Sequence, residues 1–176
     1  LCCAGTGEQF HGFKNRDWRA CEGNIHLSAV IAPRSHIAGG AAGFIAAAAI
    51  AALQTVDTFD LAEAETGIKW VNDLLVNGAK VGGVLARLQT QGIVTRSAII
   101  GIGLNVEKRP EVERDPYVPQ VAALADFAAD PGRCRYADVF PHLADKLGGH
   151  LATLLDGGFE QMLETYRQRS LVLNRA

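Results

Sequence analysis

A lysine that returns just after an Asn-Gly turn, with a Gly-Gly pair close behind it, is the arrangement in this chain best suited to chemistry. The segment reads Lys69-Trp70-Val71-Asn72-Asp73-Leu74-Leu75-Val76-Asn77-Gly78-Ala79-Lys80-Val81-Gly82-Gly83-Val84-Leu85. Asn-Gly between β-prone runs predicts a hairpin, because both residues tolerate the positive φ that a tight turn needs. Lys69, Asn72 and Asp73 then fall at the far end of the first strand, and Lys80 opens the return strand. Glycine inside a strand marks a bulge or a place where a ligand comes close to the backbone, so Gly82 and Gly83 are candidates for such an approach. A cation beside bare backbone suits an anionic ligand. The same spacing also fits a solvated hairpin with two surface lysines and an Asx-stabilised strand end.

The segment resembles the signature of the biotin protein ligases, adenylate-forming enzymes related to the lipoate ligases, which reads K-W-P-N-D followed by K-x-(G/A)-G-(I/V)-L. Further matches come in the family's order. Gly23-Asn24-Ile25-His26-Leu27-Ser28 is similar to its G-N-L-Y-x-S strand, and Ile99-Ile100-Gly101-Ile102-Gly103-Leu104-Asn105-Val106 to its G-I-G-I-N-V strand. Leu154-Leu155-Asp156-Gly157-Gly158-Phe159, with Tyr166, Arg167 and Ser170, resembles the last helices of the catalytic domain.

The resemblance implies an enzyme that joins biotin to AMP at the expense of ATP and then passes the biotinyl group to a lysine of a biotin carboxyl carrier protein. Bringing the biotin carboxylate to the α-phosphate of ATP sets two anions together, which calls for preorganised cations and backbone N–H groups. By resemblance Lys80 contacts the carboxylate and the adenylate phosphate. Asp73 holds Mg²⁺ or orients the acceptor lysine, and Asn72 binds phosphate or ribose. Lys69, Trp70, Asn24, Gly82, Gly83 and Asn105 are expected around the adenylate, although a strand Trp also suits a core and Asn105 also suits a strand-ending turn. A lipoate or octanoate ligase shares this fold and chemistry. A catalytically weak relative serving as a binding module is a further alternative.

That alternative arises in the loop 8–18, where the family has a G-R-G-R-x-G-R-x-W pattern. Gln9, Gly12, Arg16 and Trp18 are expected at the ligand, but His11 and Phe13 stand where arginines belong, and Asn15 replaces a glycine. One positive charge is lost and another becomes pH-dependent at His11. Fewer glycines also imply a stiffer cover over the adenylate. Val71 stands where the family has proline.

Positioning these residues calls for a loop over 6–21, a strand over 24–31 and a helix over 37–56. Strands over 67–76, 80–88 and 96–106 then form an antiparallel meander, since short turns connect them. A turn-rich linker is expected at 115–119. Helices follow over 136–155 and 158–169, with Gly148-Gly149 a candidate interruption and Gly157-Gly158 the break between them. The expected class is α/β (α+β): a mixed, largely antiparallel sheet with helices on it, the class II aminoacyl-tRNA-synthetase-like fold of biotin and lipoate ligases. The chain reads as one catalytic domain over 1–176, without the family's amino-terminal strand, helix and Ser/Thr-rich motif or its carboxyl-terminal barrel, and hence as a fragment or a reduced homologue.

Composition agrees with one domain able to bury a core: 176 residues, 48% apolar. A formal charge of −2 argues against a nucleic-acid surface. Cys2, Cys3, Cys21 and Cys134 show neither C-x-x-C spacing nor a disulfide framework, which reads as reduced thiols in a cytoplasmic protein, with Cys2-Cys3 in a strand. Five scattered histidines without a Cys/His cluster predict no protein-built metal site. The alanine-rich 39–56 is at the short end for a membrane span and suits a helix packed closely on a sheet. No signal peptide is evident at the start. Edge-to-edge pairing into a homodimer is open to a β-rich domain of this kind.

Overall fold

The computed structural model describes residues 1–12, 16–112 and 120–172. The expectations for Phe13, Asn15 and the linker 115–119 fall outside them. The architecture is a six-stranded sheet in the order β1-β2-β6-β5-β4-β3, with three helices stacked on one face. The strands are β1 (Cys2–Ala4), β2 (Ile25–Ile31), β3 (Thr66–Lys69), β4 (Asp73–Val76), β5 (Ala79–Gln91) and β6 (Val94–Leu104). All five ladders are antiparallel; the parallel pairings are single bridges, Ile68 to Ser170 and Lys80 to Val121.

Strand alternation divides the sheet cleanly. Ile25, Leu27 and Ala29 of β2 and Ile100, Ile102 and Leu104 of β6 are buried in one core with Val84, Leu74 and Ile68. The residues between them face the other way. Helix α1 (Ala41–Val56) lies on the core face, with α2 (Tyr136–Leu155) and α3 (Phe159–Gln168) outside it. It is buried on nearly every side, as expected for a helix apolar all round. Its alanines permit close approach on both flanks. No helix among the described residues is long and apolar enough to cross a membrane.

The structure departs from the sequence reading in several places. The run 67–76 is two strands, because the chain reverses at 70–72 and pairs Lys69 with Asp73. Tyr166 holds this reversal from α3 by donating its hydroxyl to the Val71 carbonyl at 2.7 Å, and the Trp70-Val71 peptide is cis. Helix α1 begins at Ala41 rather than at residue 37, since Gly39 (φ 73°) and Gly40 (φ 50°) take left-handed backbone that cannot continue an α-helix. Gly148-Gly149 does not interrupt α2. A strand, β1, does lie upstream of Gln9, with Cys2 and Cys3 in it.

The expected hairpin forms as read. Asn77 (φ 48°) and Gly78 (φ 79°) both adopt positive φ, and the Asn77 side chain accepts the Glu65 N–H at 2.8 Å. A register shift between Leu74 and Leu75 then sets Lys80 opposite Leu75 and Gly83 opposite Asp73.

Candidate functional site

Following register across the face turned away from the helices gives one row, with a residue from every strand: Ala4, His26, Gly103, Gly83, Asp73 and Lys69. The middle of the row is bare backbone at Gly103 and Gly83, and the next row repeats this at Gly101, between Ser28 and Leu85. Side chains of other residue types would fill this floor. Trp18, whose indole lies over Gly103, and His26 flank this glycine strip on one side and the Asp73 and Lys80 pair flanks it on the other, which makes the strip the candidate groove.

Lys80 Nζ lies 2.6 Å from Asp73 Oδ1, with side-chain exposures of 19% and 17%. The pair is partly withdrawn from water, so its geometry is better fixed than that of a surface ion pair. An ammonium has three donors, so Lys80 can keep Asp73 and still offer N–H groups to an anion. Backbone bonds fix the strand beneath: the Lys80 N–H donates to the Gln120 carbonyl, and its own carbonyl accepts from the Ala122 N–H, both at 2.9 Å. Asn72, just before β4, extends the pairing along β5, donating Nδ2 to the Val84 carbonyl and accepting the Val84 N–H at its own carbonyl, both at 2.9 Å. Lys69 faces the groove in register with Asp73.

Aromatic side chains frame the site. The Trp18 indole donates to His26 Nδ1 at 3.1 Å and lies 5.9 Å from Lys80 Nζ. It sits so close to Gly103 that a Cβ there would be 2.3 Å from the indole Cζ2. Phe10 stacks on His26 with ring centroids 5.5 Å apart. On the opposite flank Trp70 is 59% exposed and meets Tyr166 edge-on. Burial first, and the charge of Asp73 second, raise the Tyr166 phenol, which therefore stays protonated and hydrogen-bonded.

Lys80, Asp73, Asn72, Lys69, Gly83 and Trp18 thus gather at one groove. Three other expected residues, Asn24, Gly82 and Asn105, are engaged within the fold. Asn24 is fully buried; its Oδ1 accepts from the N–H groups of Val106, Glu107 and Lys108, and its Nδ2 donates to the Lys108 carbonyl. A ligand contact would have to break that set. Gly82 faces the core, where a Cβ would lie 2.7 Å from the Gly103 carbonyl oxygen, so it serves strand packing rather than a ligand. Asn105 is buried behind β5, donating to the Ala122 carbonyl at 3.0 Å, with its Oδ1 unpartnered. In the loop, Gln9 and Arg16 are exposed, Gly12 donates its N–H to the Arg16 carbonyl, and His11 lies 3.8 Å from Asp17.

Sequence reasoning missed Phe10, His26 and Tyr166. His26 was the most accessible of these: in the alternation of β2 it falls on the face opposite Ile25 and Leu27, at the tyrosine position of G-N-L-Y-x-S. Among the described residues no group of three or more His, Cys, Asp or Glu could hold a metal ion. Asp73, the one carboxylate in the row, is already engaged by Lys80.

Comparisons with known proteins agree with the motifs. The Bacillus subtilis bifunctional ligase/repressor BirA is 36% identical over 120 residues, 68% of this chain and 36% of that protein. The biotin--[acetyl-CoA-carboxylase] ligase of Paracoccus denitrificans is 35% identical over 109 residues, 59% of this chain and 44% of that protein. The chain therefore spans less than half the length of either relative. Among solved structures, the Aquifex aeolicus biotin protein ligase in complex with biotin and ATP superposes with a TM-score of 0.73 at 18% identity, covering 96% of this chain and 67% of that one. The Leishmania major enzyme in complex with biotinyl-5-AMP gives 0.73 at 18% identity, covering 99% and 72%. At such identity the likeness is one of fold. The family model for biotin/lipoate A/B protein ligases matches residues 6–105, more than half of the chain, and the protein belongs to that family.

Proposed function

We propose that the chain carries the catalytic core of a biotin protein ligase, which condenses biotin with ATP to biotinyl-5'-AMP and transfers the biotinyl group to a lysine of a biotin carboxyl carrier domain. The observation that carries this reading is the Lys80 and Asp73 pair held beside the Gly83 and Gly103 floor. It sets one oriented cation beside the glycine backbone of β5, with the Trp18 indole lying over the neighbouring Gly103. Relatives named as biotin ligases and the K-W-x-N-D signature favour biotin over lipoate or octanoate.

In this reading the biotin carboxylate attacks the α-phosphorus, the bond to pyrophosphate breaks, and Lys80 offsets the negative charge gathering on the phosphoryl oxygens. Asp73 fixes the direction of the ammonium. In the second half-reaction the acceptor amine attacks the acyl carbon and AMP departs with the electron pair of the broken C–O bond. Asp73 is the carboxylate at hand to accept a hydrogen bond from that amine. In this reading Mg²⁺ arrives with the triphosphate. His11, set beside Asp17, gives weaker phosphate binding than an arginine would.

Incubating the chain with biotin, ATP, Mg²⁺ and a carrier domain tests the proposal by mass spectrometry. One biotinyl group should appear on the carrier, and Lys80→Ala should abolish it. An unmodified carrier would overturn the assignment, and modification with octanoate or lipoate in place of biotin would move it to the lipoate branch.

A further inference from the structure

Phe10 and His26, which the proposed chemistry leaves unused, form a cluster with Trp18. His26 is only 7% exposed. Its Nδ1 accepts the indole N–H of Trp18 at 3.1 Å, so the neutral ring carries its proton on Nε2. That Nε2 is buried with no hydrogen-bond partner. The Cys21 backbone lies near the ring and favours its protonated form, against the larger effect of burial. The far edge of the indole rests on Gly103 and reaches towards Lys80. Trp18 thus spans from His26 to the lysine across bare backbone.

We infer that His26 is a positioning residue whose unprotonated Nδ1 latches Trp18 over Gly103 as the wall of the ligand groove, and that protonation of His26 releases that wall. An imidazolium has an N–H at both nitrogens, so the indole N–H would then face a donor. Among the described residues packed on His26 no side chain offers an imidazolium an acceptor, and the Cys21 backbone, which favours the charged ring, is outweighed by burial. From the loop the packed residues are Phe10, Trp18 and the backbone of Cys21; from β1, Ala4, while the neighbouring Cys3 falls on the core face; from β6, Gly103. Lys80 and Asp73 lie beyond the indole and neutralise each other. Burial accordingly pushes the His26 imidazole below its usual range. The latch is closed at neutral pH and opens on acidification.

The latch is a property of the ligand-free chain, while its effect on the groove rests on the ligase reading. ¹⁵N NMR of the imidazoles and of the two indoles, with Trp18→Phe to assign them, follows both groups through a pH titration. The Trp18 indole N–H should exchange slowly at neutral pH, and its protection should vanish with the same midpoint as His26, below about 6.5. His26→Gln keeps an acceptor and should retain protection at every pH; His26→Phe should lose it at every pH, with the Trp70 indole signal as the control for folding. In the biotinylation assay His26→Phe should raise KM for biotin roughly tenfold with kcat changed less, the equivalent of one hydrogen bond, and His26→Gln should restore most of it. Titration of His26 without change at Trp18, or a protected indole in His26→Phe, would overturn the latch. A shared midpoint in a chain that transfers no biotin supports the latch and defeats the ligase assignment; transfer with unlinked titrations defeats the latch alone.

Discussion

Asn24→Ala separates a residue that holds the fold from one that binds the ligand. The Asn24 amide oxygen accepts from Val106, Glu107 and Lys108 at 3.0, 3.2 and 3.1 Å, and its NH₂ donates to the Lys108 carbonyl at 2.8 Å. Val106 is buried, so truncation strands its N–H at a cost of about 1–3 kcal/mol. Glu107 and Lys108 are exposed and recover water, losing together about 1 kcal/mol of net hydrogen bonding. The sum is about 2–4 kcal/mol, or roughly 4–16 °C in Tm for a domain of this size. Urea unfolding and thermal melts measure it. Asn24→Asp keeps the acceptor and should lose less than Asn24→Ala. A change below about 0.5 kcal/mol would refute the reasoning. So would native stability combined with lost biotin affinity, which would return Asn24 to the ligand.

Three other outcomes follow from the geometry. Gly82→Ala places a Cβ 2.7 Å from the Gly103 carbonyl oxygen and 3.1 Å from both Leu74 and Leu104 methyls, and should cost about 1–3 kcal/mol in urea unfolding. Gly148→Ala meets no atom within 4 Å on the exposed side of α2 and should stabilise by about 0.5–1 kcal/mol in the same measurement. Burial lowers the imidazoles of His26 and His150, the latter with help from Lys146. The unfolded chain therefore takes up these protons first as pH falls. Their contribution to stability is fully present above about pH 6.5 and is lost as pH drops through the lower native values, which unfolding at a series of pH values will follow. His26→Gln should flatten part of that dependence, and an unchanged slope would contradict it.

Features written in local chemistry were legible in the sequence. Asn77-Gly78 supplies two residues able to take positive φ between β-prone runs, which fixes a turn whatever surrounds it. The bounds of α2 and α3 followed from apolar spacing and the Gly157-Gly158 break, and Lys80 and Asp73 from a motif held within a dozen residues. Other features depended on partners distant in the chain. The reversal at 70–72 is held by Tyr166, some ninety-five positions on. Gly82 and Gly83 are indistinguishable as letters, yet register with β6 turns one to the core and the other to the groove. Asn24 matched a ligand-binding motif, but the turn at 106–108 had claimed its amide.

The sequence by itself determined the turn, the helices, the family and the candidacy of Lys80 and Asp73, because each depends on backbone preference or on residues near one another along the chain; that the two pair came from the structure. Only the tertiary structure decided which side chains share the groove. Alternation assigns residues to one of two faces of a strand, and strand pairing across the sheet settles what each face meets. That pairing set His26 beside Gly103, brought Trp18 down upon both, and made an anonymous strand histidine the hydrogen-bond partner of the tryptophan beside Lys80.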